Sequence, residues 1–237
     1  LNGNLAIYLN LLNCTFEHNS AKATKAGKSA GTILNNSYSA IGLAHCTFAD
    51  DTFSSGATAA EIVNANGWNS DVRAVNSVFW SEDPDYVPFA NFSGSTSDSP
   101  AQFANCVAKN FDASIFGNLT LFGDGVSTDD PGLREKAEKG VNGVLARHLA
   151  GDSKFIKKAF GDVWLHNNKL YAYSKELTGN ASKPWQALCD KPASATSVSG
   201  LTRSSPRTTD AWGVQRRAKG AAVGPANVKL GMLLLVR

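Results

Sequence analysis

Charge is scarce in this chain. Only 18% of its 237 residues are Asp, Glu, Lys or Arg, too few to clothe many long solvent-facing helices, and the segments that recur along it contain no i, i+3, i+4 apolar stripe. Gly, Asn, Ser, Thr and Ala are plentiful instead, which suits short strands joined by turns. Long apolar runs are missing too. The longest near the end, residues 232–236, is far short of the ~20 residues that span a bilayer; it reads as a strand, and no transmembrane segment is expected. The single methionine is Met232 and the chain opens on Leu1, so the initiator and any signal peptide are expected upstream, in a longer or processed product. Absent as well are C-x-x-C, G-x-x-x-x-G-K, G-x-S-x-G, H-E-x-x-H and the dinucleotide fingerprint, which argues against a zinc site, nucleotide chemistry and a serine triad.

The scarce charge is unevenly spread. Residues 1–190 hold 15 Lys and Arg against 19 Asp and Glu, whereas residues 191–237 hold 8 against 1. Arg203, Arg207, Arg216, Arg217 and Lys219 come without interleaved stacking aromatics beyond Trp212. A solvated basic tail is therefore expected, and no nucleic-acid partner.

What is present is a repeat. Leu12-Asn13-Cys14-Thr15-Phe16, Ala44-His45-Cys46-Thr47-Phe48, Val75-Asn76-Ser77-Val78-Phe79 and Ala104-Asn105-Cys106-Val107-Ala108 align, with the Cys/Ser positions 32, 31 and 29 residues apart. Apolar or small residues alternate with polar ones, as in a half-buried strand. A second strand recurs upstream at Ala6-Ile7-Tyr8, Thr32-Ile33-Leu34-Asn35, Glu61-Ile62-Val63-Asn64 and Asn91-Phe92-Ser93. Two strands inside a period of about 30 residues cannot bury a face alone and must stack on their neighbours, which gives an all-β solenoid. Like residues then form ladders about 4.8 Å apart: Cys14, Cys46, Ser77 and Cys106 inward, Phe16, Phe48 and Phe79 beside them, and a polar column of Asn13, His45, Asn76 and Asn105, in which His45 is read as a ladder member.

Residues 1–128 are thus expected to be stacked coils and residues 129–237 a C-terminal capping region of mixed strands and loops. Within the latter, residues 134–149 read as a short helix or irregular cap, and residues 155–173 as strands closing the open end of the stack. Trp164, Tyr171, Tyr173, Trp185 and Trp212 are assigned to that packing. Cys14 and Cys46 fall within disulfide range in Cα separation, but parallel side-chain directions favour stacking over a bridge. Sequons occur at Asn13, Asn35, Asn91, Asn118 and Asn180.

Phe16-Glu17-His18-Asn19, an F-x-x-N unit after Ala6-Ile7-Tyr8, resembles the repeats of polymorphic outer-membrane proteins and related pectin-lyase-like β-helices. Asp210-Ala211-Trp212-Gly213-Val214-Gln215-Arg216, followed by Ala222-Val223-Gly224-Pro225, is similar to the D-x-x-G-x-x-R … G-A ending of the β-helix proteins called choice-of-anchor Q. Later coils depart from the unit, with Asp51 and Glu82 where Asn would stand. The resemblance covers residues 1–110 and 200–226 and implies a right-handed parallel β-helix with an irregular C-terminal cap, secreted or at the cell surface or outer membrane. It leaves activity open, because such proteins include adhesins and polysaccharide-active enzymes.

For chemistry the candidates are few. Asp51 and Glu82 are expected at equivalent positions on adjacent coils, with Asp50 and Asp83 beside them, so they must be solvated, share a proton or bind Ca²⁺. Arg73 is the candidate base or substrate clamp of a polysaccharide lyase, and Asp51 with Glu82 the carboxyl pair of a glycoside hydrolase. Trp68, Trp80 and Tyr86 are the aromatics placed to stack on sugar rings. The leading expectation is adhesion or glycan binding without catalysis, with a polysaccharide or surface glycoprotein as partner and no cofactor beyond possible calcium; the alternatives are the polysaccharide-degrading enzyme and a structural stalk or filament segment.

Overall fold

The computed structural model describes residues 7–21, 31–35, 39–53, 59, 61–64, 71–91, 100–140, 142–155, 162–166, 169–173, 185–187, 195–196, 210–212, 214, 216, 224 and 226. The protein is essentially all-β and its main sheets are parallel. Three strand families recur. The first is β1 (Ile7–Leu12), β5 (Ser39–Ala44), β9 (Asp71–Val75) and β12 (Pro100–Ala108); the second is β2 (Thr15–Glu17), β6 (Thr47–Ala49) and β10 (Val78–Trp80); the third is β4 (Ile33–Asn35), β8 (Ile62–Asn64) and β11 (Phe89–Asn91). A minor pair, β3 (Ser20–Ala21) and β7 (Thr52–Phe53), follows the second family. Within each family every strand pairs in parallel with its sequence counterpart one repeat away.

In its first three copies the repeated unit is two strands and a corner, and in the fourth β12 runs on through the corner at Asn105. Asn13, His45, Asn76 and Asn105 adopt φ of 57, 53, 53 and 46°, the left-handed region that Asn and His tolerate better than most side chains. The polar column is therefore where the backbone bends, and its amide hydrogen bonds step along the ladder: Asn13 N–H donates to Ala44 O, His45 to Val75 and Asn76 to Ala104, at 2.9–3.0 Å. Asn76 Nδ2 also donates to His45 Nε2 (3.2 Å), which leaves the imidazole proton on Nδ1.

Inside, Phe16, Phe48 and Phe79 stack with centroids 4.7 and 4.9 Å apart and planes within 11°, a face-to-face geometry imposed by the strand spacing. The next ladder position is Ala108, and the space above Phe79 is filled by Phe89, Phe103, Phe111 and Phe116 in mostly edge-on contacts. All three families contribute to one apolar core, through residues such as Leu43, Phe48, Ile62, Val72 and Phe103.

Two register details differ from the sequence reading. Phe89, rather than Phe92, pairs with Ile62, and Phe92 lies outside the described residues. Ile7 belongs to the first family, opposite Ser39. The parallel array also runs further than the visible repeat: after a 3-10 turn at Ala113–Ile115, β13 (Asn118–Ser127) pairs with β12 through a bulge between Ala104 and Cys106. The repeat fades there because Gly123 and Gly125, at φ 58 and 64°, take over the corner.

Among the described residues of 134–149 there is no helix. A short antiparallel pair forms instead, β14 (Glu138–Lys139) and β15 (Leu145–Ala146), with Gly143 N–H donating to Gly140 O (3.0 Å) between them, and Leu133 bridges Leu149. The described part of this segment lies along the outer face of the second strand family. Leu149 packs on Val78, Trp80 and Val107, and the backbone N–H of Arg147 donates to Thr15 Oγ1 (3.2 Å). Farther on, β16 (Asp162–His166), β17 (Lys169–Tyr173), β18 (Trp185–Ala187) and β19 (Ala195–Thr196) form an antiparallel sheet that carries Trp164, Tyr171, Tyr173 and Trp185, and β17 approaches β1.

The final described residues lock onto the same outer face. Asp210 Oδ1 accepts from the backbone N–H of Trp212 and of Val214 (2.9 Å each). Trp212 packs edge-on against His148, 4.9 Å between centroids, and over Gly140, where a Cβ would come within 2.1 Å of the indole. Arg216 is buried rather than solvated: its Nη2 donates to Asn13 Oδ1 (2.8 Å) and Gly224 O (3.0 Å), and burial lowers its pKa to about 10. Gly224, at φ 92°, donates its N–H to Asn76 O (2.8 Å). Arg203, Arg207, Arg217 and Lys219 lie outside the described residues. No helix among the described residues is long and apolar enough to cross a membrane.

Candidate functional site

Asp51 follows a second left-handed corner. His18, Asp50 and Asn110 have φ of 58, 55 and 52°, whereas Ser81, at the matching place after β10, is not among the positive-φ residues. The backbone therefore turns Asp51 inward and leaves Glu82 outside. Asp51 is 1% exposed; its Oδ1 accepts from Asn19 N (2.7 Å) and its Oδ2 from Thr32 Oγ1 (2.8 Å), with Asn19 Nδ2 at 3.2 Å from both oxygens. Glu82 is exposed, and its Oε1 accepts from the indole of Trp80 (3.3 Å).

The carboxyl group that Asp51 meets, through the Thr32 hydroxyl, is Glu61, immediately before β8. Glu61 is fully buried, its Oε1 accepts from Tyr86 Oη (2.6 Å), and its Oε2 lies 3.0 Å from the Thr32 hydroxyl that also reaches Asp51. That hydroxyl has one proton and donates to one carboxylate only. Satisfying both contacts calls for a proton on Glu61, and burial first, then the charge of Asp51, push the Glu61 pKa well above the ordinary carboxyl range. Burial and the neighbouring Glu61 likewise raise Tyr86. The result is a closed chain of hydrogen bonds, Asn19 to Asp51 to Thr32 to Glu61 to Tyr86, that ties β4, β6 and β8 to the loop before β11. Glu61 stands within the third-family unit, but the period alone does not mark it as a partner of Asp51, because the contact joins two different strand families.

The other sequence candidates fall apart in space. Arg73 is 1% exposed and ion-paired through Nη2 with Asp71 Oδ2 at 2.7 Å, beside Gly42 in register on β5; it faces no solvent where a substrate could be clamped. Asp50 is taken by Arg147 Nη1, which also lies 4.0 Å from Glu17 Oε2. Asp83 is exposed and accepts from Asp85 N–H (2.9 Å). Asp50, Asp51, Glu82 and Asp83 thus point to four different sets of partners, and among the described residues no three His, Cys, Asp or Glu side chains are arranged to hold a metal ion. Of the aromatics, Tyr86 is buried; Trp80 is 8% exposed under Lys109 Nζ, 5.5 Å from its centroid; Trp68 lies outside the described residues.

What reaches solvent is the turn of residues 82–87. Ser81 Oγ accepts from Asp83 N–H (3.2 Å), and Asn110 Nδ2 donates to Pro84 O and Tyr86 O (2.9 Å each), so the turn is held from below while Glu82, Asp83, Asp85 and Val87 stay exposed. A second polar feature that sequence reading passed over is a row of in-register amides, in which Asn35 Nδ2 donates to Asn64 Oδ1 (2.7 Å) and Asn91 is next in register. No family profile, curated protein or solved structure matches this chain.

Proposed function

We propose that the chain is part of a right-handed parallel β-helix of the pectin-lyase-like kind, secreted or exposed at a cell surface, that displays turns for adhesion or glycan contact and performs no catalysis. The in-register pairing of three strand families, each with its own sequence counterpart, supports the architecture. The non-catalytic reading rests on one observation. Arg73 and Asp51, the groups suited to base or acid chemistry, are closed off in internal networks, whereas the exposed side chains of residues 82–87 sit on a braced turn. A preorganised turn loses little entropy on binding, and its carboxylates accept hydrogen bonds from sugar hydroxyls or cationic groups of a surface glycoprotein.

The test is a glycan and glycoprotein binding screen that includes pectins, alginates and glycosaminoglycans, run beside a depolymerisation assay on the same polymers. Binding without chain cleavage, weakened several-fold by Glu82→Gln with Asp83→Asn, is the expected result. Cleavage abolished by Asp51→Asn or Glu82→Gln would replace this reading with a lyase or hydrolase. Regular end-to-end assembly with no ligand affinity would replace it with a stalk.

A further inference from the structure

Cys14 and Cys46 stand immediately before Thr15 and Thr47, which are in-register partners of β2 and β6. In-register parallel neighbours are about 4.8 Å apart, inside the ~4.4–6.8 Å Cα range over which a disulfide closes. Sequence reasoning expects parallel side chains that stack without bridging. In the structure both thiols turn to the same stretch of β1: Cys14 Sγ donates to Leu12 O, and Cys46 Sγ reaches across from the next coil to the adjacent carbonyl, Leu11 O, as well as to Ala44 O, at 3.5 Å each. Both are present as free thiols.

The column is interrupted one step further along. Ser77 takes the third place, donating to Val75 O (3.1 Å) and accepting from Cys46 N–H (3.1 Å). Cys106 is thereby separated from Cys46 by a hydroxyl that cannot be oxidised to a bridge. Exposure is graded as well: Cys14 is partly exposed, whereas Cys46 and Cys106 are buried.

From this placement we propose that Cys14 and Cys46 form a reversible redox pair, closing a disulfide between adjacent parallel strands when a low-molecular-weight disulfide such as oxidised glutathione is the oxidant. The Cys14 thiolate attacks one sulfur of the oxidant, whose S–S bond breaks and releases a first thiolate. The Cys46 thiol then loses its proton and attacks Cys14 Sγ, expelling a second. Two protein thiols are oxidised, one external disulfide is reduced, and the two protons end on the two released thiols. The order follows the surroundings: the neighbouring Cys46 side chain lowers Cys14 to about 7, while burial pushes Cys46 well up and Cys106 to about 12. This inference does not depend on the proposed function.

The full-length chain is incubated with oxidised glutathione, quenched, and its thiols counted in denaturant before peptide mapping by mass spectrometry. The count is expected to fall from four to two, with Cys14 linked to Cys46, and dithiothreitol restores all four. Cys106→Ser leaves the loss intact; Cys14→Ser and Cys46→Ser each abolish the intramolecular bridge. At neutral pH, alkylation of Cys14 by iodoacetamide is expected to outpace that of Cys106 by about tenfold or more. Four unchanged thiols, a glutathione adduct on Cys14 that never closes, or a bridge through Cys106 or Cys189 would overturn the proposal. Mapping the wild-type protein decides this even where a serine variant fails to fold.

Discussion

Phe16, Phe48 and Phe79 stack ring on ring at the strand spacing, whereas Arg147, Trp212 and Arg216, which fasten the later segment to the outer face of the same strands, each occupy a seat used once. The parallel array coheres through apolar ladders that every strand renews, so its stabilisation is spread along its length. Among the described residues, the later segment is held by a few polar anchors and one indole lodged over a glycine. Even its apolar grip depends on the array: in the register Thr15, Thr47, Val78, Val107, the outward residues become apolar where Leu149 covers them. Damage to a ladder should therefore propagate, and damage to an anchor should stay local.

Phe48→Ala tests the first half most severely. It empties the middle of the stack and is expected to cost about 3–5 kcal/mol, seen as an earlier denaturant midpoint for the whole parallel array. Arg147→Ala attacks the second half. Its Nη1 pairs with Asp50, its Nε donates to Arg134 O (2.8 Å), and the side chain is 8% exposed. Because Asp50 keeps some contact with solvent, the expected loss is about 2 kcal/mol, with amide-exchange protection falling in residues 133–149 and persisting in β5, β6 and β9. A general loss of protection there would show that the two regions fold as one.

A third prediction concerns the buried acid pair inside the array. Glu61 has its folded-state pKa raised above the unfolded value, so its contribution is complete below the ordinary glutamate range and is lost as pH rises through the folded pKa. Chemical-denaturation stability of the wild type should decline on moving from mildly acidic pH upward, by up to ~1.4 kcal/mol per pH unit. Glu61→Gln keeps a donor in place of the proton and should flatten that slope; an unchanged slope would mean that Glu61 is ionised in the fold. The smallest effect belongs to Glu82→Gln, on the exposed turn, whose stability cost should stay within about 0.5 kcal/mol by the same denaturation measurement.

The ladders were legible because each is a statement about period: Phe16, Phe48 and Phe79 recur at the repeat and meet their own kind. The corners were legible only as polarity. Asn13, His45 and Asn76 read as the wet face of a strand, and alternation alone does not distinguish that from a left-handed bend. The carboxylates misled for a related reason. Asp51 and Glu82 are equivalent in count but not in backbone, since Asp50 turns left-handed where Ser81 does not, and one such difference sends the next side chain inward or outward. The burial of Arg216 is invisible in the sequence because its partners, Asn13 and Gly224, lie far away or in a turn. Composition records the charge of a tail without recording where it docks.

The cysteine-column positions are separated by 32, 31 and 29 residues, yet β2, β6 and β10 pair without slippage and the bulge enters only at β13. Contour length between ladders is thus decoupled from strand alignment. Peptides could be spliced in or trimmed out between the paired strands while the rungs keep their places, which makes this framework a ruler whose graduations are fixed and whose ornament is free to vary.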